Sequence, residues 1–344
     1  MTRARHNEVF GACLLPLRKA LLLAALCAAG SWSATFSQAL EATNAPTVYS
    51  VRLWQIEDGL PQNSVWAMAQ TLDDYLWVGT REGLARFDGV RFTLPDEKAA
   101  PELRHGWIMA LCAARDGSLW VGVDGAGVTR IKDGKYSRLT EADGLLSNQI
   151  KCLFESSDGS LWIGSDGGVT CYRDGKLSSI TEKNGLASNL VKGICEDREG
   201  NIRIATNRGL SRRDREGNIS TFNFALLQNA NALKFVFLDR HGVLWAGFNE
   251  GLYSLDGEKQ VSYGMNEGLP DKIVYRAYED RSGQLWIGTH RGPIRMVEGK
   301  MLPRPTSPQL ASDWIYTILE DREGNVWLGA EDGLYRLNPA RFTV

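Results

Sequence analysis

The chain has 344 residues, of which 43% are hydrophobic and 23% are charged. This composition is ordinary for a globular protein and excludes a disordered or collagen-like chain. Its 39 lysine and arginine residues face 41 acidic residues, a formal net charge of −2. No basic excess therefore directs the protein to a nucleic acid or an anionic membrane, and we expect no nucleic-acid partner.

The first 39 residues have the pattern of a secretory signal peptide. Arg18 and Lys19 precede an unbroken run of ten apolar residues over 20–29, and Ser37-Gln38-Ala39 offers small residues for cleavage. The apolar run is too short for a bilayer span, which takes about 20 residues. We predict a signal peptide over 1–39, a linker over 40–50 and a periplasmic or secreted protein without a membrane span after cleavage. An uncleaved anchor is the alternative.

One short motif, first seen as Leu76-Trp77-Val78-Gly79, recurs along the rest of the chain at intervals of 41 to 43 residues. Its seven copies are centred on Trp77, Trp120, Trp162, Arg203, Trp245, Trp286 and Trp327. An aliphatic residue stands twelve residues before each centre and opens a mostly apolar strand. A polar turn, the Leu-Trp strand and two further short strands follow, which is the period of a β-propeller blade. We predict an all-β fold, a seven-bladed β-propeller of four-stranded blades, over 51–344.

Two segments compete for the last strand of the seventh blade. Residues 51–56 have the phase of a fourth strand that leads into the first blade, and residues 341–344 have the same phase. A closed ring leaves only short, protected strand edges. The sequence leaves open which segment closes the ring.

The repeated tryptophans have an expected structural role. Six of them recur at one position of the repeat, so we predict that they pack between blades, where their large buried area stabilises the fold. Arg203 interrupts this series. It indicates either a weak blade or an ion pair on the face of the blade.

The repeat D-x-x-G-x-L-W-I-G-T-x-x-G-L-x-R, followed by G-L-x-x-N-x-V, resembles the two-component regulator propeller. Gly144-Leu145-Leu146-Ser147-Asn148 fits this pattern position by position, and the resemblance covers about 51–344. The resemblance implies the periplasmic sensor region of a hybrid sensor histidine kinase or a related diguanylate cyclase. Members usually carry two propellers, a small β-sandwich, a membrane helix and a cytoplasmic output domain. We expect the output domain to lie on a missing segment or on a partner, which is a signalling protein or a second propeller.

Motifs for catalysis or metal binding are absent from the sequence. It contains no Gly-x-Ser-x-Gly elbow, no Walker loop and no His-Glu-x-x-His, and His105, His241 and His290 do not have the spacing of metal ligands. We expect no catalytic residue, no metal and no cofactor. The alternatives to a sensor are a secreted propeller enzyme, either a lyase or a glycan-cleaving enzyme, and a protein-binding scaffold.

Cysteines are predicted in the inner strands. Cys112, Cys152 and Cys195 fall there and are most simply small buried apolar residues. A disulfide from Cys152 to either of the other two stays open, and so does the state of Cys171.

The best functional signal comes from one position at the start of each inner strand. This start position lies eleven residues before the centre of the repeat and reads, in blade order, Trp66, Met109, Lys151, Lys192, Lys234, Tyr275 and Tyr316. Three consecutive blades supply lysine, and aromatic residues come from three blades that are consecutive around a closed ring. Trp107 and Trp314 stand two residues before two of these positions.

Loops after the Leu-Trp strands lie on the same rim of a propeller. They add His290 and Arg291 to the predicted site, and the rim offers the weaker candidates Arg81, His105, Asp124, Asn207 and Asn249. Lysine supplies charge and flat rings supply stacking surfaces. We therefore predict that this rim binds an anionic or sugar-like ligand, either a small molecule or an oligosaccharide.

Overall fold

The computed structural model describes residues 49–222, 233–257, 259–304, 310 and 314–339. Over this part of the chain, the backbone forms seven four-stranded antiparallel sheets. The predicted seven-bladed β-propeller is confirmed. The predicted signal peptide over 1–39 and the linker up to residue 48 lie outside the described residues.

Blades 1 to 3 are each built from four consecutive strands. Blade 1 contains β2 (Val65–Gln70), β3 (Leu76–Thr80), β4 (Gly83–Phe87) and β5 (Phe92–Thr93). Blade 2 contains β6 (Ile108–Ala113), β7 (Leu119–Val123), β8 (Gly127–Lys132) and β9 (Lys135–Leu139). Blade 3 contains β10 (Ile150–Glu155), β11 (Leu161–Ser165), β12 (Gly168–Arg173) and β13 (Lys176–Ile180).

Blades 4 to 6 repeat this arrangement. Blade 4 contains β14 (Val191–Glu196), β15 (Ile202–Thr206), β16 (Gly209–Arg213) and β17 (Ile219–Phe222). Blade 5 contains β18 (Phe235–Leu238), β19 (Leu244–Phe248), β20 (Gly251–Asp256) and β21 (Lys259–Tyr263). Blade 6 contains β22 (Val274–Glu279), β23 (Leu285–Thr289), β24 (Gly292–Val297) and β25 (Lys300–Met301). The first strand of each blade is the inner strand, and it packs against the inner strand of the next blade around the ring.

The seventh blade joins the two ends of the described chain. It contains β26 (Ile315–Glu320), β27 (Val326–Ala330) and β28 (Leu334–Pro339), and its fourth strand is β1 (Tyr49–Trp54). β1 pairs antiparallel with β28, with Trp54 opposite Leu334. The ring is therefore closed by the N-terminal of the two competing segments. The other, residues 341–344, lies outside the described residues.

Helical structure is confined to short segments between strands in the described part of the chain. These are α1 (Glu102–His105) and the 3-10 helices Ile56–Asp58, Glu141–Asp143, Glu182–Asn184 and Met265–Glu267. None of the helices among the described residues has the length and apolar character needed to cross a bilayer.

The repeated tryptophans pack between blades, as predicted. Trp162 lies in a cluster with Val191, Ile202 and Ile204 of the following blade. Five of the six are at most 8% exposed, and Trp77 is half-buried. Burial leaves the indole N–H in need of an acceptor, and for five of the six tryptophans the side chain six positions earlier supplies it. In blade 6, for example, Trp286 Nε1 donates to Asp280 Oδ2 at 2.8 Å.

Arg203 takes the place of tryptophan in blade 4, and its side chain also pairs with the residue six positions earlier, Asp197. Its Nε donates to Asp197 Oδ2 at 2.9 Å, and its second guanidinium nitrogen lies 2.9 Å from the same oxygen. Asp197 also accepts a hydrogen bond from Asn201 Nδ2. Of the two alternatives for Arg203, the structure thus shows the ion pair.

The glycine that follows each Leu-Trp pair allows neighbouring blades to approach closely. A Cβ on Gly122 would lie 2.6 Å from Ile150 Cγ2 of the next blade. At the ring closure, a Cβ on Gly329 would lie 2.6 Å from Val65 Cγ1. Because these distances are shorter than real Cβ contacts, a side chain here would force the blades apart.

Arginines join adjacent blades at the rim opposite the start positions. In blade 6, the Arg281 side chain donates to the carbonyls of Asp321 and Arg322 in blade 7, at 2.7 and 2.9 Å. Arg322 in turn donates to the carbonyl of Thr71 in blade 1 at 2.8 Å. These hydrogen bonds link blade 6 to blade 7, and blade 7 to blade 1 across the closure of the ring.

Candidate functional site

The start positions coincide with β-bulges. In six blades, the pairing of the inner strand with its neighbour shifts register at this residue, for example between Ile150 and Cys152 around Lys151. In blade 5, Lys234 immediately precedes the inner strand, and its backbone N–H donates to the carbonyl of Gly247. A bulge leaves one residue out of the ladder and re-aims its side chain.

All seven start positions line one cavity at the centre of the ring. This cavity has a volume of about 470 Å³, and we call it the central channel. The residues at the start positions that line it are Trp66, Met109, Lys151, Lys192, Lys234, Tyr275 and Tyr316. The phase comparison in the sequence therefore placed these side chains together correctly. Their role in binding a ligand remains a prediction.

One half of the channel mouth is a continuous group of aromatic rings. Trp66 stacks on Tyr316 with ring centroids 4.1 Å apart, and Trp107 packs edge-on against Trp66 at 5.0 Å. Tyr275 contacts Tyr316 at 5.2 Å. Trp314 lies 6.1 Å from both tyrosines and is 39% exposed. The group thus offers the exposed indole of Trp314 to a ligand and holds the remaining rings by mutual packing.

The three lysines form the other half of the mouth, and their surroundings differ. Lys151 Nζ lies 3.3 Å from Asp124 Oδ1 and 3.7 Å from Asp166 Oδ2. Lys192 is half-buried and Lys234 is exposed, and desolvation by the surrounding protein lowers the pKa of both amines below the ordinary 10.5. The neighbouring charge of Lys192 lowers the pKa of Lys234 further. Lys234 also lies over the ring of Tyr275, with Nζ 5.5 Å from its centroid, which connects the two halves.

A second set of rim residues comes from the position four residues after the centre of each repeat, which we call the loop position. In blade order it reads Arg81, Asp124, Asp166, Asn207, Asn249, His290 and Glu331. Five of these residues were predicted from the sequence, whereas Asp166 and Glu331 were not, although they share the same repeat position.

Glu331 organises the aromatic half of the mouth. Its Oε2 accepts hydrogen bonds from Tyr316 Oη at 2.9 Å and from the buried Ser64 Oγ at 2.7 Å. Ser64 Oγ in turn accepts a bond from Trp66 Nε1 at 2.8 Å. Burial, together with this hydrogen bond to Glu331, raises the pKa of Tyr316. Tyr316 is therefore a neutral hydrogen-bond donor held in a fixed orientation.

The predicted loop residues His290 and Arg291 lie at the edge of the aromatic group. The His290 ring packs edge-on against Trp314 at 4.3 Å, and its Nδ1 lies 3.9 Å from Asp271 Oδ2. Arg291 Nε lies 3.5 Å from the same carboxylate. Trp107, Trp314, His290 and Arg291 do not line the central channel itself. His290 reaches the mouth through Trp314, whereas Arg291 points to Asp271 on the surface.

Arg276 lines the central channel and was not found from the sequence. It follows Tyr275, one residue beyond the bulge, and its side chain is exposed to the water of the channel. Partial desolvation by the channel walls lowers the pKa of this guanidinium. Other blades carry Ala, Cys, Gly, Phe or Thr at the same repeat position, so no recurring charge drew attention to it.

A larger groove, of about 1210 Å³, lies between blades 3 and 4, away from the channel. It is an open surface depression between the outer strands β13 and β17. Arg173 there pairs with Asp158 at 2.8 Å, and the Arg213 guanidinium lies over the Trp162 ring at 5.4 Å. We place the candidate site at the channel because side chains from all seven blades converge there, whereas the groove involves two blades only.

The cysteines and the acidic groups add no metal or redox site in the described part of the chain. All four described cysteines are free thiols. Burial raises the pKa of Cys152 and of Cys195 to about 12 in each case. No group of three or more His, Cys, Asp or Glu side chains within the described ranges is arranged to hold a metal ion.

Three segments of the chain, residues 144–167, 268–291 and 309–332, match the family model described as "two component regulator propeller". These three segments have the pattern of two-component regulator propeller repeats. The family resemblance expected from the sequence is therefore confirmed. No curated protein sequence matches this chain.

Solved structures share the propeller fold. The extracellular domains of two putative hybrid two component systems from B. thetaiotaomicron match with TM-scores of 0.73 and 0.69, at 21% and 19% identity. Each match covers 86% of this chain, but only 41% and 43% of those chains. Virginiamycin B lyase from Staphylococcus aureus matches with a TM-score of 0.65 at 14% identity, over 84% of this chain and 99% of the lyase. At these identities, the likeness shows the fold alone.

Proposed function

We propose that this two-component regulator propeller is an exported sensor domain that binds an acidic sugar-like ligand at the mouth of the central channel. The family repeats and the extracellular setting of the similar hybrid two component systems support the sensor role. The amine and aromatic halves of the mouth support the ligand class. Exposed rings stack on sugar faces, and amines attract carboxylate or sulfate groups.

The observation that carries this proposal is the convergence of the start positions on one cavity. Side chains at the start positions that served only the fold would not need to be cationic on three successive blades and aromatic on the adjoining blades. The mouth thus offers its aromatic half to the neutral faces of a sugar and its amine half to the sugar's acidic groups. The ligand's occupancy would then pass to a signalling partner or to an output domain.

A thermal-shift screen of the purified protein against acidic and neutral oligosaccharides tests the proposal. A ligand that binds only the folded state raises the melting temperature, with a stabilisation of about 2.7 kcal/mol at a hundred times its Kd. We expect acidic oligosaccharides to stabilise the protein and to remain unchanged after prolonged incubation. Consumption of the ligand would contradict the sensor role and favour an enzyme. No shift with any sugar would contradict the ligand class.

Trp314→Ala locates the binding. This change removes the exposed ring of the mouth, and we expect affinity for the stabilising oligosaccharide to fall about tenfold, which corresponds to about 1.4 kcal/mol. Leu72→Ala is the matched control, because Leu72 is an exposed apolar side chain, 62% accessible, in the β2–β3 turn at the opposite rim. Equal affinities of the two variants would place the binding site elsewhere.

A further inference from the structure

The three lysines of the mouth are not equivalent. Asp124 and Asp166 neutralise Lys151, as their distances of 3.3 and 3.7 Å show. Neither Lys192 nor Lys234 makes an ion pair with any residue that the structure describes. Asp166 affects the pKa of Lys192 but lies beyond ion-pair distance from it. The charged group that affects the pKa of Lys234 is Lys192. Two amines in the mouth therefore lack a counter-ion from the described protein.

Arg276 extends this unbalanced charge into the channel. It lines the same cavity as the two lysines and makes no ion pair within the described ranges. The ionisable group that affects the pKa of Arg276 is the thiol of Cys152. The pKa of this thiol is in turn lowered by the positive charges of both Arg276 and Lys192. The Arg276 guanidinium and the Lys192 amine therefore both lie near the Cys152 thiol in this channel.

Asp166 offsets part of the charge of Lys192, but no carboxylate of the described residues acts on Lys234 or Arg276. The one carboxylate that lines the channel is Glu196, at the far end of an inner strand. It accepts hydrogen bonds from the backbone N–H and from the hydroxyl of Ser157, at 2.5 and 2.6 Å, and so belongs to a contact between blades. Like charges held in a partly desolvated cavity repel each other, and a bound anion removes that cost.

We propose that Lys192, Lys234 and Arg276 form a subsite that binds one oxyanion group, a carboxylate or a sulfate, of the ligand. The planar guanidinium can hold such a group through two parallel hydrogen bonds, while the two amines add charge from the mouth. The identity of the rest of the ligand rests on the proposed function. Lys151, by contrast, orders the loops of two blades through its acidic partners and is no part of the subsite.

Calorimetric titration with D-glucuronate and D-glucose tests the subsite, because the two sugars differ by the carboxylate. We expect the protein to bind glucuronate at least tenfold more tightly than glucose. Arg276→Gln should weaken glucuronate binding about tenfold and leave glucose binding unchanged. Lys135→Gln, which removes an exposed lysine of the outer strand β9, is the matched control and should change glucuronate affinity less than twofold. Equal effects of the two variants, or no preference for glucuronate, would overturn the proposal.

A second pair of changes guards against misfolding of the first variant. If Arg276→Gln lowers the melting temperature strongly, the double variant Lys192→Gln/Lys234→Gln replaces it, since both residues lie at the water-filled mouth. Inorganic sulfate then serves as the probe. Its binding to the unaltered protein, and its loss in the double variant but not in Lys135→Gln, would support the subsite. Sulfate binding that survives in the double variant would refute it.

The same measurements separate this inference from the proposed function. A glucuronate preference that depends on Arg276, combined with no effect of Trp314→Ala on any oligosaccharide, would keep the subsite and refute the sugar-binding mouth. Oligosaccharide binding that depends on Trp314 but shows no preference for an acidic group would keep the sugar-binding mouth and refute the subsite.

Discussion

Replacing Trp54 by alanine tests whether β1 holds the ring closed. The indole is 1% exposed, stacks on Trp327 at 5.4 Å and meets the edge of Phe87 at 5.2 Å. Removing such a ring from a core costs about 3–5 kcal/mol. The Nε1 of Trp54 is buried without a hydrogen-bond partner among the described atoms, and deleting this donor offsets about 1 kcal/mol. We therefore expect the free energy of unfolding to fall by about 3 kcal/mol.

Urea unfolding followed by circular dichroism measures this loss. Trp314→Ala is the matched control, since it is the same substitution at a ring that is 39% exposed, and we expect it to cost less than about 1 kcal/mol. A loss in Trp54→Ala no larger than in the control would refute the reasoning. The N-terminal strand would then not be the element that closes the seventh blade.

Three further predictions concern the blade face, the mouth and the thiols. Asp197→Ala should lower the free energy of unfolding by about 2 kcal/mol, measured in urea, because it leaves the half-buried guanidinium of Arg203 unpaired. Affinity for glucuronate should fall as pH rises through the lowered pKa values of Lys192 and Lys234, below the ordinary 10.5, because the amines lose their charge there; calorimetry at several pH values measures this. Cys152, with its pKa raised to about 12 by burial, should resist a chromogenic disulfide reagent at pH 8 in the folded protein.

Each of these predictions has its own control. Glu250→Ala removes a carboxylate that is 67% exposed and lies 3.4 Å from the exposed amine of Lys272, so it should leave the urea midpoint unchanged; a loss equal to that of Asp197→Ala would contradict the role given to the Asp197–Arg203 pair. Glucose binding should not depend on pH over the same range, and a parallel decline would point to a change in the protein as a whole. The thiol reagent should label the urea-unfolded protein quickly, and equally quick labelling of the folded state would contradict the burial of Cys152.

The spacing of the repeat was enough to predict the blades and the ring of start positions. A spacing of 41 to 43 residues fixes the phase of each inner strand, so residues as distant as Trp66 and Tyr316 could be assigned to one place. The bulge that turns these side chains into the channel depends on backbone pairing and leaves no mark in the residue types. The closing strand could not be chosen either, because two segments had the same phase and only pairing with β28 distinguishes them.

The charge balance of the site could not be predicted from the sequence, for a different reason. The acids beside Lys151 come from loops of two blades, and their distances decide that this lysine is neutralised while Lys192 is not. Arg276 was missed because it is a single exception at its repeat position. Asp166 and Glu331, however, share the loop position with His290, and a complete reading of that position would have found them.

A crystal structure of the protein with a glucuronate-containing disaccharide tests the central claim most directly. We expect the sugar at the mouth of the central channel, with its carboxylate beside Lys192, Lys234 and Arg276 and a ring face against Trp314. A disaccharide bound in the groove between blades 3 and 4, with the channel mouth occupied by water alone, would contradict it.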